Sequence, residues 1–227
     1  ERAQRVFLAD GDALALSSRR LHEVLDLLHA ELPNLERVSS YATARNLLEK
    51  DVEELRSLCQ RKLELVYLGL ESGDDETLAA VHKGITVAEQ IAGCRRAKEA
   101  GMKLSITAIL GLAGAARSLA HGRATGEALS AIDPEYIGIL TLMLVPGTRM
   151  YRRVATGELV LPDQIGMLRE LREIVAHTDV SDCLFRSNHA SNYLPVGGHL
   201  PRDKDAMLAQ LDKVLEAPES VRLRPES

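Results

Sequence analysis

Five apolar runs, each followed by an amphipathic run, alternate along the first two thirds of the sequence. Their starts lie roughly 26 to 40 residues apart, which is the length of one strand plus one crossover helix. This order predicts an α/β fold in which helices cover parallel strands. The predicted strands are Arg5–Ala9, Arg37–Tyr41, Leu63–Leu70, Lys103–Leu110 and Tyr136–Leu144. About five such βα units indicate a partial parallel (β/α) barrel that lacks at least one unit, with an open flavodoxin-like sheet as the competing architecture.

The pattern changes after residue 150, and three regions are predicted. Residues 1–150 form the barrel core, residues 151–217 form an extension of C-terminal helices with a polar loop, and residues 218–227 form a tail. The polar loop is the segment Phe185–Pro201, between two amphipathic helices. Because the chain starts with Glu1 rather than Met and reaches its first strand almost at once, we interpret it as lacking its first βα unit.

Composition argues against several kinds of partner. The 28 basic and 33 acidic residues give a formal charge of -5 without a block of like charge, and aromatic residues are scarce, so nucleic acid is an unlikely partner. No apolar stretch approaches the roughly 20 residues of a membrane span. Cys59, Cys94 and Cys183 are widely spaced and odd in number, which fits neither a disulfide framework nor a zinc site. This cysteine usage favours a reducing, cytoplasmic location.

In a parallel βα fold, functional side chains collect at the carboxyl ends of the strands. Small, hydroxyl and acidic residues, and one methionine, stand at these points of the sequence. They are Asp10, Gly11 and Asp12 after the first strand, Ser40 in the second, Glu71 after the third, Thr107 and Gly111 at the fourth, and Met143 at the fifth. We expect Asp12, Glu71 and the later Lys83 to point toward a common hollow of the size of a nucleoside.

Each of these residues also has a structural interpretation. Aspartate and glycine favour turns, so the stretch 10–12 is compatible with a simple turn. Lys83 would complement the carboxyl end of a helix, and Met143 would fill the core. Glu71 differs from them, because a carboxylate directly after a continuous apolar strand requires a partner.

Four motifs give the chain a resemblance to a known family. Residues 68–78 (LGLESGDDETL) and 82–86 (HKGIT) are followed by AILGL at 108–112 and LMLVPGT at 142–148. In this order and at this spacing, the motifs resemble the core of radical S-adenosylmethionine (SAM) enzymes over roughly residues 4–150. The branch that they resemble includes the Elongator catalytic subunit, methylthiotransferases and oxygen-independent coproporphyrinogen oxidases.

The resemblance implies that the first two strands contribute to a SAM site. Asp10, Gly11 and Asp12 stand where the family holds the ammonium group of SAM. Ser40 stands where a polar residue faces the nucleoside. Two departures from the family pattern are present, since Asp10 is acidic where the family has glycine, and Ser40 is a weaker ligand than the acidic residue of some relatives.

The later strands complete the implied SAM site. Glu71 stands where this branch has a carboxylate or amide that contacts SAM, and Lys83 stands where a basic residue meets the SAM carboxylate. Thr107 and Gly111 would lie along the ribose and adenine wall, and the backbone at Met143 would meet adenine.

The family also implies an iron–sulfur cofactor that this chain does not ligate. Three cysteines spaced C-x₃-C-x₂-C precede the second strand of the family's barrel and hold a [4Fe-4S] cluster. The chain begins at that second strand, so we expect the ligating cysteines upstream of Glu1 and no metal ligand in this chain. The resemblance then implies an oxidoreductase or transferase that cleaves SAM reductively to a 5′-deoxyadenosyl radical and abstracts hydrogen from an unknown substrate. An electron donor such as a flavodoxin or ferredoxin would be a partner, and the fragment itself would be inactive.

The substrate is not apparent from the sequence, but one segment is a candidate for contacting it. Residues 185–195 resemble a set of uncharacterised bacterial members of the family, and they offer Asn188, His189, Asn192 and Tyr193 as a substrate loop. The structural alternative is a loop whose polar side chains satisfy its own backbone. Two rival functions stay open: a barrel lyase or aldolase with Lys83 as amine nucleophile and Glu71 as base, and a non-catalytic SAM-fold binding protein.

Overall fold

The structure of the chain is a computed structural model that describes residues 3–9, 11–220 and 223. Strands and helices alternate over most of this part of the chain. The strands are β1 (Arg5–Leu8), β2 (Arg37–Tyr41), β3 (Leu63–Glu71), β4 (Lys103–Leu110), β5 (Tyr136–Thr141), β6 (Cys183–Ser187) and β7 (Val196–Leu200). The helices are α1 (Ser18–Glu31), α2 (Ala44–Glu49), α3 (Val52–Gln60), α4 (Asp75–Ala80), α5 (Val87–Glu99), α6 (Ser118–Ile132), α7 (Arg149–Ala155), α8 (Gln164–His177) and α9 (Lys204–Glu216).

The seven strands found in the described residues form one sheet in the order β1-β2-β3-β4-β5-β6-β7. Strand β2 pairs in parallel with β1 and β3, β5 pairs in parallel with β6, and β6 pairs antiparallel with β7. The predicted α/β fold with a mostly parallel sheet is therefore confirmed.

The chain divides into two compact units. The first unit contains Glu1–Gly69 and Ala88–Ile106, and the second contains Leu70–Val87 and Thr107–Ser227. The three regions predicted from the sequence stay predictions, because compact units of this kind do not define functional domains.

Leucines on facing helices form the core of the first unit. Leu21 and Leu25 of α1 and Leu55 and Leu58 of α3 have no exposed surface. Burying each of these side chains stabilises the unit by roughly 1.5–3 kcal/mol. The two helices are also linked by a hydrogen bond of 2.7 Å, in which the Ser18 hydroxyl donates to Glu54.

The prediction of a polar loop over Phe185–Pro201 was wrong at both of its ends. Strand β6 overlaps the start of that segment and β7 its end. Phe185 and Val196 are fully buried while Arg186 and Gly197 are exposed, so the strands alternate between a core face and an open face. The glycines of β7 hid this alternation, since glycine carries no side chain to reveal the period and has low β-propensity.

Helices α6 and α8 of the second unit approach each other through two glycines. Gly122 and Gly126 lie four residues apart and therefore on one face of α6. A Cβ atom at Gly122 would lie 2.7 Å from the carbonyl oxygen of Glu170, and one at Gly126 would lie 2.7 Å from that of Ile174. Both distances are shorter than real Cβ contacts, so the backbones pack at a separation that only glycine permits.

We predict that Gly126→Ala lowers the free energy of unfolding by about 1–3 kcal/mol, because the methyl group would meet the α8 backbone. The cost of this clash outweighs the gain of about 1 kcal/mol that alanine normally brings to a helix. Chemical denaturation followed by circular dichroism measures the change. Gly138→Ala is the control, since its Cβ atom would meet nothing closer than Thr107 Oγ1 at 3.9 Å. An unchanged or increased stability of Gly126→Ala would contradict the close approach of the helices.

Candidate functional site

Glu71 and Lys83, two of the residues predicted to bind SAM, form an ion pair in the second unit. The Nζ atom of Lys83 lies 3.2 Å from Glu71 Oε1, and the two side chains are 30% and 25% exposed. Glu71 is the last residue of β3 and has a φ of +63°. This left-handed conformation is uncommon for residues other than glycine. The pair therefore presents one anionic and one cationic group, both partly open to solvent, at the carboxyl end of a strand.

The end of helix α4 brings Lys83 back toward Glu71. His82 adopts a left-handed φ of +56°, and its N–H donates to Ala79 O. The N–H of Lys83 donates to Leu78 O at 2.9 Å. These two bonds are those of a Schellman motif, which ends a helix and reverses the direction of the chain. The Lys83–Gly84 sequence thus has a structural role beside any role in binding.

Gly73 docks the loop between β3 and α4 onto helix α6. Its N–H donates to Thr125 Oγ1 at 3.0 Å, and a Cβ atom at Gly73 would lie 2.6 Å from the Cα atom of Thr125. No other residue permits this separation without a shift of the loop or of the helix. The glycine of the Glu71-Ser72-Gly73 motif is therefore required by packing.

Asp74 fixes the start of α4 and binds an arginine. Its carboxylate accepts from the N–H of Thr77 at 3.2 Å and from Arg117 at 2.9 and 3.0 Å. Burial of Asp74 would raise its pKa, but the hydrogen bonds from Thr77 and Arg117 outweigh burial and hold the pKa below its usual value. The folded state thus favours the charged form of this carboxylate.

Gly111, which was predicted to line the nucleoside, is held by a buried cluster that the sequence analysis did not find. Its N–H donates to Glu170 Oε1 at 2.8 Å, and the Ser118 hydroxyl donates to the other oxygen of Glu170. His121 Nδ1 lies 2.9 Å from Glu170 Oε1, and both side chains have no exposed surface. The buried His121 Nε2 has no partner in the described part of the chain, which fits a proton on Nδ1 that is donated to Glu170.

One signal in the sequence could have revealed this cluster. Glu170 lies between Met167 and Leu171 on the apolar face of α8, where the period of the helix leads one to expect a hydrophobic residue. A buried carboxylate at such a position requires hydrogen-bond donors. Gly111 itself is buried against Met167, with a φ of +82°, so its N–H serves the scaffold.

The other two predicted residues of the second unit differ in exposure. Thr107 is half-buried in β4. Met143 follows β5 and is 51% exposed, so its side chain does not fill the core. A binding role for both residues stays a prediction.

The first unit contains the predicted residues of the first two strands. Asp10 lies outside the described residues. Gly11 has a φ of +57°, and a Cβ atom at this position would meet nothing within 4 Å. Asp12 is exposed and makes no capping hydrogen bond to the turn that follows. Ser40 is fully buried, and its hydroxyl donates to Tyr41 O at 2.9 Å. The Ser40 hydroxyl is thus engaged within the protein.

A buried lysine holds the loop that carries Gly11 and Asp12. Lys50 is 6% exposed, and its Nζ atom donates to Leu14 O at 2.8 Å. Leu14 itself has no exposed surface. The charge of Lys50 therefore acts on the backbone of this loop, a role that the sequence analysis did not predict.

The predicted substrate loop is anchored at the end of β5. The N–H of Thr141 donates to Ser191 Oγ at 3.2 Å, and Asn192 Nδ2 donates to Ile139 O at 2.7 Å. Ser191 and Asn192 are 5% and 2% exposed. Asn192 therefore satisfies buried backbone groups, which agrees with the structural alternative for this residue.

The remaining residues of the predicted loop are more accessible. Asn188 and His189 are exposed and Tyr193 is half-buried. The N–H of Ser191 donates to His189 Nδ1 at 3.2 Å. This hydrogen bond fixes the orientation of the imidazole ring at the surface of the loop.

The cysteines of the chain do not suit an iron–sulfur cluster. Cluster ligands are thiolates, but burial raises the pKa of Cys94 and of Cys183 to about 12 and also raises the pKa of Cys59. Over the described ranges, no three His, Cys, Asp or Glu side chains lie together as a metal site. The residues present therefore do not fit the cluster.

Residues 1–115, half of the chain, match the family model of the radical SAM superfamily. The chain belongs to the radical SAM superfamily. Radical SAM proteins bind SAM and a [4Fe-4S] cluster. The resemblance seen in the sequence motifs is thereby confirmed, and so is the expectation of these two cofactors for the family.

The heme chaperone HemW of Bacillus subtilis is 23% identical over 160 residues, which cover 70% of this chain and 42% of that protein. Coproporphyrinogen III oxidase (HemN) of Escherichia coli has a TM-score of 0.61 at 16% identity, covering 77% of this chain and 40% of its own. Elp3 of the archaeon Methanocaldococcus infernus has a TM-score of 0.61 at 14% identity, and the match covers 97% of this chain and 56% of that one.

These relatives are all longer than the chain, which spans about half of their length or less. At such identities, the solved structures show the fold alone, and they confirm the radical SAM fold class predicted from the sequence. Among the helices of the described residues, none has the length and apolar character needed to cross a membrane.

We predict that Asp74→Asn lowers the free energy of unfolding at pH 7 by about 1–2 kcal/mol, because it removes a charge-assisted bond to Arg117. The lowered pKa of Asp74 means that its contribution is present above pH about 4 and is lost as the pH falls through the folded-state value. Urea denaturation between pH 7 and pH 2.5 should therefore show a shallower acid decline in the variant. Glu127→Gln on the exposed side of α6 is the control, and an identical acid decline in Asp74→Asn would contradict the argument.

We predict that Glu170→Ala lowers the free energy of unfolding by about 3–5 kcal/mol, since it leaves several buried donors without an acceptor. Glu170→Gln should cost less, because its amide oxygen still accepts one hydrogen bond. Thermal unfolding ranks the variants, with Glu127→Gln again as control. If Glu170→Ala unfolded at the temperature of the original chain, the buried cluster would not stabilise the fold.

Proposed function

We propose that this chain is the SAM-binding part of a radical SAM enzyme that cleaves SAM reductively and abstracts hydrogen from a substrate. The observation that carries the proposal is the Glu71–Lys83 ion pair at the carboxyl end of β3. Membership of the radical SAM superfamily supports the class of reaction. The cluster ligands would lie in a part of the protein outside these 227 residues.

The ion pair matches the charges of the amino-acid end of SAM. That end carries one ammonium and one carboxylate group, which Glu71 and Lys83 would bind respectively. Both side chains are about one quarter to one third exposed. Each can therefore give up its partner in the ion pair and bind a charged group of SAM instead, because neither charge is deeply buried. The left-handed backbone of Glu71 and the Schellman motif before Lys83 hold the two groups close together.

The other residues predicted to bind SAM differ in how accessible they are. Gly11 and Asp12 of the first unit are exposed and accessible to a ligand, and their contact with SAM stays a prediction. Thr107 and Met143 would face the nucleoside. The Ser40 hydroxyl and the Gly111 N–H are each engaged inside their own unit, so we propose that each supports the local fold rather than contacting SAM.

When bound next to a reduced cluster, SAM supplies a species that abstracts hydrogen. This chain's residues would orient SAM and exclude water. Radical SAM enzymes need a reductant such as a flavodoxin or ferredoxin. We propose one of these as the partner, in the cytoplasm, where the free thiols found in the described residues would stay reduced.

We predict that Glu71→Gln and Lys83→Met each weaken SAM binding about tenfold or more, because each removes a charge-assisted hydrogen bond. Isothermal titration calorimetry with SAM on the protein that carries the cysteine motif measures the change. Glu127→Gln and Lys103→Met, both exposed, are the matched controls. Unchanged affinity in both site variants would remove the ion pair from the site.

The catalytic step is tested on the same protein after anaerobic reconstitution with iron and sulfide. Reduction in the presence of SAM should release 5′-deoxyadenosine. Binding of SAM without release of 5′-deoxyadenosine would instead favour the non-catalytic binding protein. The lyase or aldolase alternative requires a free amine at Lys83, and borohydride trapping with carbonyl substrates would reveal it as a covalent adduct.

A further inference from the structure

The β6–β7 hairpin of the second unit carries a cavity that the proposed SAM site does not use. Its volume is about 290 Å³. Arg186, Asn188 and Gly197 are among the residues that line it. Asn188 belongs to the predicted substrate loop, so one end of that loop borders the cavity.

Arg186 lies on the open face of the hairpin. Phe185 is fully buried, and a Cβ atom at its strand partner Gly198 would meet Asp203 and Met207 at the start of α9. That face of the hairpin therefore packs on the helix. Because side chains alternate along a strand, Arg186 points away from α9 and into the open cavity.

Glycines stand on both sides of Arg186 in the sheet. Its register partner on β5 is Gly138, and its partner on β7 is Gly197. Side chains at these two positions would lie beside the arginine on the same face. Their absence leaves space beside the arginine, and Gly197 lines the cavity.

The guanidinium group of Arg186 has no acidic partner within the described part of the chain. Other arginines of the second unit bind carboxylates, as Arg117 binds Asp74, Arg153 binds Glu158 and Arg172 binds Asp212. Arg186 forms neither an ion pair nor a side-chain hydrogen bond in that part. A planar guanidinium that lies in a cavity and is not neutralised is suited to bind the two oxygens of a carboxylate or phosphate.

We propose that this cavity binds an oxyanion, a carboxylate or a phosphate, of the substrate. The assignment of this anion to the substrate rests on the proposed radical SAM function. Binding of an oxyanion as such rests on the β6–β7 hairpin alone. The cavity has room for a small anionic group together with a few adjoining atoms. The substrate of the enzyme would accordingly be an acidic small molecule or an acidic part of a larger one.

Binding is tested by NMR with ¹⁵N-labelled protein. Inorganic phosphate and succinate are titrated separately at constant ionic strength, with chloride as the reference salt. We expect saturable shifts of the Arg186 Nε–H signal and of the Gly197 and Gly198 amide signals. The arm with the stronger binding identifies the anion as phosphate or carboxylate. No saturable shift with either anion would overturn the proposal.

Variants assign the binding to Arg186. Arg186→Met should weaken binding at least tenfold, and Arg186→Lys should weaken it less, since it keeps the charge without the planar fork. Arg20→Met is the matched control, because Arg20 is another exposed arginine without an ion pair in the described part. Unchanged binding by both Arg186 variants, or equal loss in Arg20→Met, would contradict the site.

SAM cleavage without substrate separates this inference from the proposed function. SAM cleavage is measured in the reconstituted original protein, and anion binding by the cavity is measured separately. If SAM is cleaved but the cavity binds no anion, the oxyanion site is wrong and the radical SAM function stands. If the cavity binds an anion but SAM is not cleaved, the oxyanion site stands and its assignment to a radical SAM substrate is wrong.

Discussion

Close backbone packing of helix α6 is the constraint on which the second unit depends. On one face, Gly122 and Gly126 let α6 approach α8, and elsewhere Gly73 brings the β3–α4 loop against Thr125. The loop follows Glu71 and leads through α4 to Lys83, whereas α8 carries the Glu170 that holds Gly111. One helix thus determines where two of the strand-end loops lie. Close packing at these contacts requires glycine within α6, although glycine is unfavourable in the interior of a helix.

The sequence predicted the regular part of the fold well. The bounds of β2 and β4 agree with the prediction because these strands are flanked by clear turn and helix signals. Strands β6 and β7 were missed because one of them contains adjacent glycines, and because their stability comes from pairing and from α9 rather than from local sequence. Pairing partners distant in sequence leave little local signal.

Within the candidate site, spatial proximity was predictable only where a motif joined residues that are near in sequence. The Glu71–Lys83 pair spans twelve residues, and the resemblance to a family located both members. The Glu170 cluster joins side chains about fifty residues apart, and the burial of Ser40 depends on which face of β2 it occupies. Spatial neighbours of this kind follow from tertiary packing, which the periodicity of one segment does not specify.

The left-handed backbone at Glu71 narrows the range of amino acids that this position can accept. A β-branched residue such as valine or threonine would be strained there, whatever its chemistry. Asparagine, aspartate and glycine adopt this conformation most readily, and two of the three keep a polar oxygen close to the backbone. Random mutagenesis followed by selection for folded protein would therefore enrich short polar replacements at position 71. The side chain at this position would become shorter before it became apolar.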